Sequence, residues 1–242
     1  LPLEVGFRLA AITSLLAALI AAFSASAPTS TSHGTDKPQA VEEQAGDATS
    51  FFLLLTAWFF ANVGIFGFGA FYPLVMNKEF AVDVDDASYV LAAATVVSTL
   101  LFLRASNLTQ QIGGRRVLLR ILSARLGLLG LLAGLALVDP FPYRDWLALI
   151  LYFAITVAWP LLAVSSLVLV SQLARFKGRG LGLYDGTTAM GHLAGPVICG
   201  QMINHFGYDS VVVFSASGVV VGLLLLLKVR AGKDRPTIPP PP

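Results

Sequence analysis

Two ionisable side chains, Asp185 and His192, stand inside an otherwise apolar stretch of this 242-residue sequence. They lie seven residues apart, or two helical turns, which sets them on one face of a helix. His192 is eleven residues past Leu181, ~16 Å along a helix axis and close to the middle of a bilayer. An acid and an imidazole on one wall make a proton-handling pair. Each also has a purely structural explanation. Asp185 near a helix amino end complements the dipole and can pair with Arg175 or Arg179. A membrane-buried His192 can simply hydrogen-bond a neighbour's carbonyl. Little else carries chemistry. His33 and His205 lack cysteine or carboxylate partners at ligand spacing, so no metal is expected. There is no phosphate-binding glycine loop, no converging serine, histidine and acid set, and no sign of a cofactor. The single cysteine, Cys199, excludes an intrachain disulfide.

The elements that would hold these residues are written in the composition. The chain is 56% hydrophobic and only 12% charged, too apolar to dress a water-soluble fold of this length. The solvent it fits is the lipid bilayer. Seven stretches approach the length of a spanning helix: 5–24, 51–76, 88–105, 117–138, 145–172, 181–203 and 210–229. The fold class is therefore all-α, a polytopic membrane helix bundle with seven transmembrane helices. The predicted organisation is a transmembrane helix in 1–24, a flexible cytoplasmic loop over 25–50 and a six-helix bundle over 51–230. A polar, proline-ended tail over 231–242 is expected to be disordered and cytoplasmic. The chain opens with Leu1 and enters an apolar run almost at once, so it is expected to be a fragment or a processed product.

Charge placement sets the orientation, since basic residues collect on the cytoplasmic side. With the 25–50 loop inside, that side holds Lys37, Arg104, Arg115, Arg116, Arg120, Arg175, Lys177, Arg179, Lys228, Arg230, Lys233 and Arg235. The other side holds only Arg8, Lys78 and Arg144, beside Glu79, Asp83, Asp85, Asp86, Asp139, Asp145 and Asp209. The carboxyl terminus is then cytoplasmic, in a plasma or bacterial inner membrane. A competing reading takes Arg8, the apolar run and the small residues from Ala22 to Ala27 as a cleaved signal peptide. It would invert the six later spans against the basic bias and is disfavoured. A net charge of only +2 gives no reason to expect a nucleic-acid partner.

Several helices carry unusual residues. Gly64, Gly67, Gly69 and Pro73 fall between Asn62 and Pro73 and should weaken that helix, as in the broken helices of transporters. Trp159 and Pro160 should kink the 145–172 segment. Gly178, Gly182 and Gly186, and again Gly191, Gly195 and Cys199, repeat at four-residue spacing and make smooth stripes for close helix approach. Arg125 is expected to snorkel or pair near the cytoplasmic side.

The stretch from Ser106 to Arg116 resembles the basic turn between neighbouring helices in the major facilitator superfamily. That pattern is a glycine, three residues, an aspartate, two residues, a glycine, one residue and two basic residues. Gly113, Arg115 and Arg116 match, while Ser106 replaces the first glycine and Gln110 the aspartate. The run from Arg179 to Pro196, continuing through Gly200 to Phe206, Gly207 and Tyr208, is similar to the family's eleventh helix and its exit loop. The resemblance covers 51 onward and makes the chain a carboxyl-terminal half, with 5–24 as the preceding sixth helix and 25–50 as the central loop.

What the resemblance implies is a secondary transporter that moves a small solute by alternating access. Its helices seven and ten would line the cavity, which points to Asn62, Phe66, Tyr72, Trp159 and Ser165 as solute contacts. Gly113, Arg115 and Arg116 would form the cytoplasmic gating turn. Coupling is expected to be to protons, through Asp185 or His192. An amino-terminal six-helix half, in the same or a separate chain, would complete the transporter. The rival reading is a membrane receptor or assembly protein on a transporter fold. An enzyme is disfavoured because acids, histidines and hydroxyls do not gather at one membrane face.

Overall fold

In lipid no water remains to satisfy backbone amides and carbonyls, so long apolar runs fold into helices that satisfy their own. The computed structural model describes residues 48–174 and 176–229, and all the regular structure among them is helical. The elements are α1 (Ala48–Phe80), α2 (Val84–Ile112), α3 (Gly114–Leu137), α4 (Arg144–Val157), α5 (Trp159–Leu173), α6 (Lys177–Phe206) and α7 (Asp209–Lys228). The six spans expected between 51 and 230 each have a helical counterpart, with α4 and α5 sharing one. The expected helix in 1–24, the loop up to residue 47 and the tail over 231–242 lie outside the described residues.

Among the described residues, five spans are long and apolar enough to cross a membrane: α1, α2, α3, the pair Arg144–Leu173 and α7. The 30-residue α6 is long enough, but its glycines and polar side chains keep it out of that group. At 33 residues α1 is ~50 Å long, more than a ~30 Å hydrocarbon layer needs, so it tilts or its ends emerge.

The connections are short and chemically defined. Asp83 caps α2 by accepting from the amide of Asp85 at 3.0 Å, with Asp85 and Asp86 in the first turn complementing the dipole. Gly113 alone joins α2 to α3. It takes φ 95° while its amide donates to Thr109 O at 2.9 Å, a left-handed conformation that favours glycine. Across the bundle, the Arg144 guanidinium donates to the carbonyls of Leu135 and Ala136 in the last turn of α3 and lies 5.2 Å over the Phe80 ring. The carboxyl groups of Glu79 and Asp209 meet beside that guanidinium, which gathers the ends of α1, α3, α4 and α7.

Helix α1 is the centre of the bundle and packs mainly on α7 and α6. Pairings with α7 run in opposite order along the two helices. Gly222 meets Ala57 and Ala61, Gly218 meets Phe60 and Gly64, and Phe214 meets Gly67. Pairings with α6 run in the same order: Gly191 on Asn62, then Gly195 on Val63 and Gly67. So α7 is antiparallel to α1 and α6 is parallel to it, as alternating spans require. Helix α3 bridges α7 and the α4–α5 pair, while α2 leans on that pair and leaves Leu100 and Leu103 64% and 78% exposed.

Two expectations are corrected. The glycines and proline of α1 do not break it; the helix continues through Pro73. The reason is lateral support, since Gly64 and Gly67 are covered by the backbones or side chains of α6 and α7 at van der Waals contact. Arg125 does not snorkel. It is the twelfth of 24 residues in α3, too far from either end, and is 4% exposed inside the bundle. The expected interruption at Trp159 and Pro160 is present and divides the span at Ala158. Of the small-residue stripes, Gly191, Gly195 and Cys199 face α1, whereas Gly178, Gly182 and Gly186 have open space.

A methyl group on Gly195 would sit 2.5 Å from the Val63 carbonyl oxygen and 2.8 Å from the Gly67 amide nitrogen, both backbone atoms. Gly195→Ala should therefore destabilise the protein by about 1–3 kcal/mol. Gly130→Ala, on the open face of α3, should be neutral or stabilising by roughly 0.5–1 kcal/mol. Thermal unfolding in detergent separates the two, and equal shifts would contradict the packing described.

Candidate functional site

Where α1, α5 and α6 meet, the side chains form a sheet of rings. On α1, Trp58, Asn62 and Phe66 recur every four residues and so line one face. On α6, Tyr184, Thr188 and His192 do the same. Because the two helices are parallel, the stripes run alongside each other and meet at both ends. The Trp58 ring stacks on Tyr184 with centroids 5.5 Å apart and 20° between planes. Its indole nitrogen donates to Thr188 Oγ1 at 2.8 Å. Asn62 faces Gly191, where a Cβ would come within 2.6 Å of the Asn62 Cβ. The Phe66 ring touches His192 at 3.4 Å between centroids.

Helix α5 closes the third side. Trp159, its first residue, stacks on Trp58 at 6.2 Å and meets Phe66 edge-on at 5.4 Å. One turn and more further on, Ser166 Oγ shares a 2.7 Å hydrogen bond with Tyr184 OH and also donates to Ala163 O. The polar atoms of Trp58, Tyr184 and Ser166 are thus consumed within the cluster. What the cluster turns outward is ring surface from the half-buried Phe66 and Trp159, together with the exposed His192. Asp185 is exposed on α6, ~10 Å along the axis from His192.

Asp185 is the ninth residue of α6, past the first turn where the dipole acts, so dipole complementation does not account for it. Of the two arginines expected to pair with it, Arg175 lies outside the described residues and Arg179 is exposed in the first turn of α6.

The sequence-selected contact residues divide. Phe66 and Trp159 come together with His192, and Asn62 sits one turn below Phe66. Asn62 is wholly buried; its Nδ2 donates to Trp58 O at 2.7 Å and its Oδ1 accepts no hydrogen bond. Tyr72 and Ser165 lie elsewhere. Tyr72 is wholly buried, stacked nearly parallel on Tyr152 of α4. Ser165, also wholly buried, donates to the Leu161 and Leu162 carbonyls of its own helix. Trp58, Ser166, Tyr184 and Thr188 were not singled out from the sequence. The four-residue repeats at 58, 62, 66 and at 184, 188, 192 were the available signal.

The basic turn lies at the end of the bundle where α2 passes to α3. There Gly113 supplies the backbone conformation, and Arg115 donates to Leu227 O at 3.1 Å in the last turn of α7. A guanidinium at a helix carboxyl end satisfies a spare carbonyl and complements the dipole. Arg116 is exposed on the first turn of α3.

No curated protein and no solved structure matches the chain. The family model described as Major Facilitator Superfamily matches residues 54–242, from the first turns of α1 through every described helix that follows. With its membrane-long helices and that match over most of its length, the chain belongs to the major facilitator superfamily, a family of membrane transporters.

Proposed function

We propose that this chain is the carboxyl-terminal half of a secondary active transporter, which moves a small solute by alternating access together with an amino-terminal six-helix half. That half belongs to the same or a separate chain. The supporting observation is the ring surface at the junction of α1, α5 and α6. Two parallel helices present matched stripes there, and Trp159 enters at a helix break, as in transporter sites at repeat interfaces. Phe66 and Trp159 serve as the solute platform. Asn62 offers a buried acceptor, Oδ1, that becomes available when the helices part. Tyr72 and Ser165 contribute by holding α1 and α5 in place.

Proton coupling is assigned to Asp185 and His192, which are exposed on the helix that carries half of the ring cluster. The carboxyl terminus and the basic turn at Gly113, Arg115 and Arg116 face the cytoplasm, and the turn gates that side. A receptor or assembly protein on the same fold is the second reading, favoured by Gln110 where the family's turn has an acid.

Three experiments test this reading. In proteoliposomes of the complete protein, a solute screen read by an internal pH dye should find solutes that drive proton movement. Asp185→Asn combined with His192→Gln should abolish that movement, and undiminished movement would remove both residues from the coupling role. No solute-driven flux, with retained binding of a protein partner, would favour the receptor reading. For a solute so found, Phe66→Ala and Trp159→Ala should each weaken binding about tenfold, the worth of one aromatic contact. Tyr72→Phe should leave it within about twofold on the same scale; the reverse ranking would move the site to the α1–α4 side. For orientation, in a Cys199→Ala background, Arg116→Cys should react with a membrane-impermeant maleimide only after cells are opened. Asp139→Cys should react in intact cells, and the opposite pattern would invert the layout.

A further inference from the structure

The span formed by α4 and α5 is interrupted at its middle, and the interruption is held by side chains from two other helices. Helix α4 ends at Val157 and α5 begins at Trp159, with Pro160 in its first turn. Proline has no amide hydrogen, so the carbonyl of Thr156, four residues earlier, loses its helical donor. Ile155 O also falls among the last carbonyls of α4, which have no partner within the helix. Such groups are costly within a membrane. Both take a donor from another helix, and Thr156 O accepts from the Ala158 amide as well. Arg125 of α3 donates to Ile155 O at 3.1 Å, and Ser98 of α2 donates to Thr156 O at 3.2 Å.

The donors are built into the interior. Arg125 is 4% exposed and Ser98 6%. Among the described residues no carboxylate acts on Arg125, and the one titratable side chain close enough to influence it is Tyr152. A buried guanidinium without an acid is an expensive way to fill space, and Leu or Met would pack as well. What neither can supply is a donor that reaches across to a bare carbonyl. The residue that follows the interruption is Trp159, whose ring lies against Trp58 and Phe66. Its position depends on the angle at which α5 leaves Ala158.

We infer that Arg125 and Ser98 are cross-helix caps that hold the span open at Ala158 and thereby position Trp159 in the ring cluster. Arg125 is then a positioning residue, acting through the Ile155 carbonyl. The geometric claim stands independently of transport; only its consequence for solute binding rests on the ring surface being the solute site.

The test is fluorine NMR of the complete protein labelled with 5-fluorotryptophan, with Trp58, Trp146 and Trp159 assigned by Trp→Phe replacements. Arg125→Met keeps the bulk and removes the donors. It should move or broaden the Trp159 resonance and leave that of Trp146, which is exposed near the start of α4, in place. Arg125→Lys, still able to reach a carbonyl, should restore most of the wild-type spectrum. Ser98→Ala should disturb the Trp159 resonance as well. Pro160→Ala returns an amide donor to Thr156 O and should make Ser98→Ala silent. A Trp159 resonance unmoved by Arg125→Met, or moved no more than that of Trp146, would overturn the inference. Should Arg125→Met fail to fold, Ser98→Ala decides: no change at Trp159 overturns it. None of these readings requires a transported solute, so their failure is distinct from failure of the transporter reading.

Discussion

Helices in lipid gain nothing by hiding apolar surface from one another, and what draws them together is close, dispersion-rich contact between smooth faces. In this protein that contact is concentrated on α1. Gly64 and Gly218 bring α1 against α7, and Gly195 presses on Val63 and Gly67 from α6. A methyl group at Gly195 or Gly218 would run into backbone atoms, which cannot give way as a side chain can. The ring surface depends on this. Trp58 reaches both Tyr184 and Thr188, and Phe66 reaches His192, because Gly191 and Gly195 let α6 lie almost against α1. The same contact supports α1 at Gly64 and Gly67, within a helix that runs unbroken through Pro73.

Much of the architecture was legible in the sequence, because the bilayer imposes a length and a polarity that composition must follow. All six spans after residue 50 have helical counterparts, and the interruption at Trp159 and Pro160 is where proline chemistry puts it. The helices whose fate the sequence misjudged were those decided by neighbours. The local signals in α1 favour a broken helix, yet support from α6 and α7 arrives from residues more than a hundred positions away. Arg125 posed the same difficulty. A lone arginine in an apolar run suggests a side chain stretching to the interface, and nothing local reveals that a carbonyl left over at the end of α4 waits thirty residues on.

The site was legible in part for a related reason. Phe66 and Tyr72 are both aromatic and both on α1, but six residues turn them to different sides, one toward α5 and α6 and the other toward Tyr152 of α4. Choosing between them needs to know which helix lies on which side. Trp58 and Tyr184 were passed over because an aromatic in an apolar run looks the same whether it meets lipid or a partner ring. Their shared period became meaningful only once α1 and α6 were known to be parallel.

The parallel pairing of α1 and α6 makes the ring cluster a matter of counting. Matching positions advance together, 58 with 184 and 188, 62 with 191, 66 with 192 and 67 with 195. One residue inserted into either helix below this zone would swing the stripe by about 100° and aim its rings away, while a four-residue insertion would carry it up by roughly one turn and nearly keep its heading. Relatives that preserve this surface are thus constrained in the spacing of these two segments more tightly than in the identity of any one ring.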